Sequence, residues 1–490
     1  MESFRKKVSA AVLPTYKNAL QWAVIIFTEY HILWCLMRYA IWEFPYFEYE
    51  KRAGIFLIAA ALIYLLLSVL TKPGFLRAAA GRIIKYGTFE HFFLTAFFFW
   101  YVFVCGARGY LEGADYFKDN DNALFLTWLS VFLFFPFAEY LGMKRARRAV
   151  EGMIHGTMLI YTTFSIWGLT RFFGSNETIM PSGNKITNYN GLMLGSNKNV
   201  TGAAAAVLFA LCVYMIGSKH GWRKFLYIMA AFVHVFVLIL SNARTSILAS
   251  IIFITAAVLV GIWNRIGNRL INNGRMDRKQ LVISAGAAAG FCIVFLMFFR
   301  KWAVTIVLAS LGKTGALTVK DFTGLSNREL VWMAAVKVMF EGKKNFLFGV
   351  TPAYLPDAMY DTGLLYRVMS HAHNLLLHIG GCLGVPMMIL YMGFLASLCI
   401  RGIRVLRAAA KMDPENPGIW IVPLIVMSLL IIEIAELMTF ATYIVNLPVF
   451  YVFAGWLVSY DRRLNGRIQI PLFSKFRFRP LAPARDSEQS

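Results

Sequence analysis

Long apolar runs separated by short polar connections fill most of this chain. Twelve such runs lie at about 18–40, 53–70, 88–106, 123–142, 152–172, 199–217, 225–241, 245–263, 281–299, 379–400, 418–437 and 444–459. A helix crossing a bilayer needs about 17–25 predominantly apolar residues, and these runs meet or approach that length. Helices are the required conformation, because an isolated strand in lipid leaves its backbone groups unpaired. The runs also lack the period-two alternation of a barrel. The first run follows Arg5, Lys6 and Lys7 without a small-residue cleavage pattern, so it reads as a retained helix, not a signal peptide. The expected fold is an all-α, polytopic membrane helix bundle of about 12 transmembrane helices. Spans 1–9 occupy residues 1–299, a large outward-facing loop with short helices covers 300–378, spans 10–12 cover 379–460, and a basic cytoplasmic tail runs over 461–490.

Composition agrees with the pattern. Of the 490 residues, 58% are hydrophobic and only 15% charged, whereas soluble domains have about 45–50% and about 25%. A soluble enzyme and a disordered chain are both excluded. The net charge of +23 would suggest nucleic acid in a soluble protein, so the position of each charge decides its meaning. With the N-terminus inside, inside segments hold 31 of the 49 basic residues, including the run Lys144-Arg145-Ala146-Arg147-Arg148. That bias places both termini in the cytoplasm and leaves no call for nucleic acid. The six cysteines lie in or beside apolar spans and form no CxxC, which supports neither a disulfide framework nor a zinc site. No repeat of 20–50 residues is present. The tail reads as a solvated basic segment, or one touching anionic lipid.

The long outer loop is where chemistry is expected. It carries Trp302, Phe322, Trp332, Phe346 and Tyr354, too apolar a set for a disordered linker. From Ser326-Asn327-Arg328-Glu329 a helical pattern continues through Val331, Ala334, Ala335, Val338 and Met339 to Gly342, with Lys343 and Lys344 at its expected C-terminus. Ser326 and Glu329 have capping-box spacing, which puts Arg328 in the first turn. A cation there opposes the helix dipole unless an anion binds beside it; the alternative is an arginine reaching to water or to Glu329. The outer turn Ser241-Asn242-Ala243-Arg244-Thr245-Ser246 repeats this arrangement, with Arg244 either an anion ligand or an interfacial arginine snorkelling to headgroups. Gly195-Ser196-Asn197-Lys198-Asn199 opens a third outer helix, with Lys198 an anion ligand or simply solvated. Histidines concentrate in Ser370-His371-Ala372-His373-Asn374. Two histidines at spacing two do not share a helix face and have no acidic or cysteine partner at metal spacing, so no metal is expected. A neutral imidazole there suits a general base for a hydroxyl nucleophile. His31, His91, His155, His220 and His234 read as structural or interfacial.

Together these motifs resemble those of the O-antigen ligase and O-antigen polymerase family of bacterial membrane glycosyltransferases, most densely over about 190–400. Ser196 to Asn199 is similar to the family's Asn-rich motif, and Ser241 to Ser246 to its Ser-x-x-Arg turn. Asn327-Arg328-Glu329-Leu330-Val331-Trp332, followed by Phe348-Gly349-Val350, resembles its Gly-Arg…Ile-Trp…Phe-Gly-Val loop. His373-Asn374 followed by Gly384 resembles its His-Asn…Gly signature. Asn327 stands where the family usually has Gly, and Met387 where the ligase form often has Gly, Thr or Tyr.

The resemblance implies an enzyme of the bacterial cytoplasmic membrane, active on its outer face, that needs no metal, cofactor or nucleotide sugar. Its partners would be a glycan donor on undecaprenyl pyrophosphate, a glycan or lipid-glycan acceptor, and membrane lipids. A pyrophosphate leaving group needs fixed positive charge. Arg244 and Arg328 are expected to supply it, with Lys198 contributing, and His373 to take or orient the acceptor proton. His371, Asn374, Asn199 and Trp332 are expected to bind substrate, with His371 as the alternative base. Asp321, Asp357 and Asp361 read as sugar ligands or solvated loop residues. The acceptor distinguishes polymerase, toward which Met387 leans, from ligase or protein glycosyltransferase. A polytopic transporter and a noncatalytic assembly protein are the readings from other classes; the long loop between spans 9 and 10, in place of a central cytoplasmic one, counts against the former.

Overall fold

The structure is a computed structural model. It describes residues 11–41, 47–72, 74–75, 88–119, 142–174, 187–188, 191–192, 198–241, 243–262, 328–369, 371–408, 419–436 and 447–465, with isolated positions at 124, 128, 131, 134 and 286. The expected spans at 123–142 and 281–299 lie almost wholly outside these residues, as do loop positions 300–327 and the tail beyond 465.

The described chain is almost entirely helical. In chain order it forms α1 (Leu13–Ile41), α2 (Phe47–Thr71), α3 (Phe89–Glu112), α4 (Tyr116–Asp119) and α5 (Gly142–Gly174). A two-residue antiparallel ladder, β1 (Thr187–Asn188) with β2 (Gly191–Leu192), precedes α6 (Lys198–Ser218), α7 (Gly221–Ser241) and α8 (Arg244–Ile262). Beyond residue 327 come α9 (Arg328–Phe340), α10 (Lys343–Phe348), α11 (Leu355–Asp361), α12 (Leu375–Leu383) and α13 (Val385–Ala408). A 3-10 turn at Ile419–Ile421 leads into α14 (Val422–Glu436), and α15 (Leu447–Asn465) follows. Among the described residues, five stretches are long and apolar enough to cross a membrane: Phe89–Glu112, Thr201–Ser218, Gly221–Ser241, Arg244–Gly261 and Val385–Leu406.

α6 is the hub. Its run Ala203-Ala204-Ala205-Ala206-Val207-Leu208 is buried on every side, as expected of a helix apolar all round. It packs on α7, α8 and α14 and touches α1 and α5. Small residues let the helices approach closely. A Cβ on Gly202 would lie 2.2 Å from the Cβ of Ala243, so the start of α6 sits directly under the turn that begins α8.

α3 runs antiparallel to the α12–α13 pair. Glu90 meets Arg401, Phe93 stacks on Phe394 at 5.1 Å, Phe97 lies 5.7 Å from Tyr391, and Trp100 Nε1 donates to the Leu383 carbonyl at 2.9 Å. This register sorts the ends of the bundle. At one end Arg401 donates to Glu90 at 2.6 and 3.0 Å and to Asp461 at 2.8 Å, and Arg404 reaches Asp461 at 3.2 Å. Lys219, just past α6, pairs with Glu151 at 2.8 Å on the same side, since Tyr214 near the end of α6 packs on Trp456 of α15. The opposite end gathers the starts of α6, α8 and α12, the end of α3, and the α9–α11 segment.

The expected span 379–400 is interrupted. Gly384, at φ +90, separates α12 from α13. A Cβ there would lie 2.2 Å from the Leu347 carbonyl oxygen, so only glycine allows α10 to press into the break. The expected C-terminal cations of α9 are also placed differently. α9 stops at Phe340, and Lys343 and Lys344 open α10, where Lys344 pairs with Glu112.

Candidate functional site

α9 forms where the periodicity places it. Val331, Ala334, Ala335, Val338 and Met339 make one buried stripe, while Glu329, Val336, Lys337 and Phe340 face outward. Arg328 is its first residue; Ser326 and Asn327 lie outside the described residues. The stripe packs on α12, whose paired glycines make room for it. A Cβ on Gly380 would lie 2.8 Å from Met339 Sδ, and one on Gly381 would lie 2.7 Å from Leu355 Cδ1 of α11.

The two loop motifs interlock. Val350 N–H donates to the Gly381 carbonyl at 2.8 Å and Thr351 N–H to Cys382 at 2.9 Å, satisfying the carbonyls that end α12. A Cβ on Gly349 would lie 2.3 Å from the Cys382 carbonyl carbon. Trp100 stacks on Phe348 at 5.8 Å while bonding Leu383, which clamps the junction against α3. Thr351, buried at φ +69, holds a backbone conformation costly for a β-branched residue, and the two flanking strand-like bonds hold it there.

Above this junction stands the histidine turn. Asn374 caps α12: its Oδ1 accepts from Leu376 N–H at 3.0 Å and Leu377 N–H at 3.2 Å. His373, immediately before the cap, has φ +50, in the left-handed region that non-glycine residues rarely occupy. The bond that holds it comes from His371, whose Nδ1 accepts the His373 N–H at 3.2 Å. The two rings meet edge to face at 4.1 Å. Ala372 between them is fully buried, and Trp332 Nε1 reaches the His373 carbonyl at 3.4 Å, tying the turn to α9. His373 Nδ1 is buried with no hydrogen-bond partner among the described residues.

Electrostatics follow from this packing. Burial, the His373 ring and the Arg328 charge push His371 down to about 3. Burial, Arg328 and Arg367 push His373 down to about 4. Both rings are therefore neutral at pH 7. The bond from His373 N–H also requires His371 Nδ1 unprotonated, which leaves its proton on Nε2. Arg328, Trp332, His371, His373 and Asn374, far apart in sequence, thus form one cluster.

Lys198, Asn199 and Arg244 form a second group at the same end. Lys198 and Asn199 begin α6 and Arg244 begins α8, and the Gly202–Ala243 contact holds the two starts together. Ser241 Oγ accepts the Ala243 N–H at 3.4 Å in the turn before Arg244, while Asn242, Ser196 and Asn197 lie outside the described residues. α14 packs against α6, α8 and α12 alike, linking the groups. Asp357 lies in the first turn of α11, and Asp321 falls outside the described residues. Among the described residues no cluster of three or more His, Cys, Asp or Glu has metal-binding geometry.

Sequence reasoning passed over three residues. Arg367 is exposed and counted only as a loop cation, yet its charge reaches His373. His378 is buried on α12, one turn past Asn374, and nothing in its apolar context marked it. Arg108 carried no reading beyond its positive charge, yet it is only 8% exposed. The chain matches no known family model and no curated protein.

Proposed function

We propose that the chain is a metal-independent membrane glycosyltransferase of the O-antigen ligase and polymerase type, with the polymerase reaction favoured. One observation carries this reading: Arg328 at the start of α9 acts on a tightly built turn that presents neutral His373 in a left-handed conformation. Backbone strain held by surrounding bonds fixes a proton acceptor in place, and the cation beside it keeps the imidazole unprotonated. In the reaction, an acceptor hydroxyl attacks the anomeric carbon of the lipid-linked glycan. The bond from that carbon to the pyrophosphate oxygen breaks, and the hydroxyl proton passes to His373. Arg328 and Arg244, with Lys198, stabilise the negative charge developing on the departing pyrophosphate. His371 holds the turn as hydrogen-bond acceptor, and Trp332 and Asn374 orient His373 by its backbone, so these three serve as positioning groups. Asn199 lies beside Lys198 on the substrate side. A pyrophosphate bound at Arg328 would also offset the cation that depresses His373, raising its basicity when the donor is in place.

This reading includes twelve spans with both termini cytoplasmic and the site on the outer face of the bacterial cytoplasmic membrane. Surface polysaccharide from a strain lacking the gene tests it. Loss of the long-chain ladder with single repeats retained is the expected result. Long chains left unattached would identify a ligase instead, and an unchanged pattern would defeat both.

A further inference from the structure

Arg108 lies two turns beyond Trp100 on the buried stripe of α3 that includes Phe93, Phe97, Tyr101, Val104 and Cys105. Because α3 runs antiparallel to α12–α13, the register from Glu90–Arg401 to Trp100–Leu383 places Arg108 further toward the start of α12, at the histidine end. Its side chain is only 9% exposed. Nη2 pairs with Glu112 Oε1 at 3.0 Å, but Nε and Nη1 are buried with no hydrogen-bond partner among the described residues. Buried guanidinium donors without acceptors are among the most unfavourable groups a protein can keep.

The charges do not balance either. Glu112 Oε1 serves both Arg108 and Lys344, and Tyr116 donates to the other oxygen of the same carboxylate. The next acids along are engaged elsewhere: Asp115 Oδ1 accepts the Lys118 N–H at 3.2 Å, and Asp119 accepts from the Tyr354 hydroxyl at 2.7 Å. Two cations therefore share one carboxylate. Lys344, at 46% exposure, is the accessible member, and Arg108 lies beneath it.

We propose that Arg108, with Lys344, is a second oxyanion-binding point, for a phosphate of a lipid substrate or headgroup. The phosphate would occupy the free acceptor positions around the Arg108 guanidinium, supplying charge-assisted bonds that Glu112 alone does not. The inference rests on the transferase reading only in taking the ligand to be a phosphorylated lipid, and binding is measurable whether or not transfer occurs.

The test uses the full chain in nanodiscs. Thermal unfolding is followed with inorganic pyrophosphate in neutral lipid, and separately in bilayers with and without phosphatidylglycerol, at constant ionic strength. Wild type is expected to be stabilised by the phosphate probe, and Arg108→Gln to bind it about ten- to a hundredfold more weakly, the worth of charged hydrogen bonds. Arg108→Lys should retain part of the effect. Stabilisation by pyrophosphate would identify a substrate phosphate as the source; stabilisation by phosphatidylglycerol alone would identify a bilayer headgroup. Should Arg108→Gln fail to fold, Glu112→Gln decides, because removing the competing carboxylate should tighten binding. An unchanged response in Arg108→Gln, or weaker binding in Glu112→Gln, overturns the proposal. Normal phosphate binding with no transfer activity in wild type would defeat the transferase reading and leave this one standing.

Discussion

At the scale of single residues, the histidine turn makes a specific statement about pH. Both imidazoles fall below the ordinary value of 6.5, His371 to about 3 and His373 to about 4. The folded state thus binds fewer protons than the unfolded state between about pH 4 and 6.5. Stability from these groups is fully present above pH 6.5 and is lost as pH falls through the window. Activity that needs neutral His373 should hold from neutral pH down to about 5, with its acidic limb near 4. Arg367 is a lesser cause of that depression and lies outside the reacting group, so Arg367→Gln should move the limb of kcat/KM upward by a fraction of a pH unit. A limb near 6.5 in wild type, or no movement in Arg367→Gln, would contradict this assignment. The sequence marked His373 as a candidate by its place in the His-Asn…Gly motif. Its left-handed backbone and the His371 acceptor were not legible, because both depend on how α9 and α12 meet.

At the scale of elements, the buried stripe of α9 was legible residue for residue, since a 3.6-residue period in a polar loop has few other meanings. The break at Gly384 was not, because hydropathy alone does not distinguish a glycine inside an apolar run from one that ends a helix. Gly384 and Gly349 are where α10 and α12 interlock, so their substitution should cost far more than backbone strain. Gly384→Ala would combine φ +90 with a contact at 2.2 Å to Leu347, and it should destabilise by more than about 3 kcal/mol. Gly363, at φ +74 with nothing within 4 Å, isolates the backbone contribution; Gly363→Ala should cost about 1 kcal/mol. Unfolding of the two variants in detergent compares them directly, and equal losses would show that the interlock contributes little.

At the scale of the whole molecule, the bundle is polarised. One end is tied by the Glu90–Arg401–Asp461 network, in which all three groups are buried, and the other carries the candidate site. Arg401→Met takes the arginine from buried Glu90 and one of the two arginines from buried Asp461, and should cost about 3–5 kcal/mol, with the kcat of the surviving folded protein unchanged. A kcat loss at full stability would mean that this end communicates with the site. Periodicity anticipated the helix starts at Lys198, Arg244 and Arg328, but the ion network was hidden by the distance in sequence between its members. In a background lacking reactive cysteines, a membrane-impermeant maleimide should label Lys337→Cys from outside the cell and Arg404→Cys only after lysis. The reverse pattern would invert the topology. The decisive measurement is transfer by the purified protein from an undecaprenyl-pyrophosphate-linked glycan, without added metal. Wild type should release undecaprenyl pyrophosphate and lengthen or attach the glycan. His373→Ala should fold normally and lose about a hundred- to ten-thousandfold in rate, and Arg328→Ala about a hundredfold or more. Undiminished transfer by a folded His373→Ala protein would contradict the assignment of that histidine as proton acceptor.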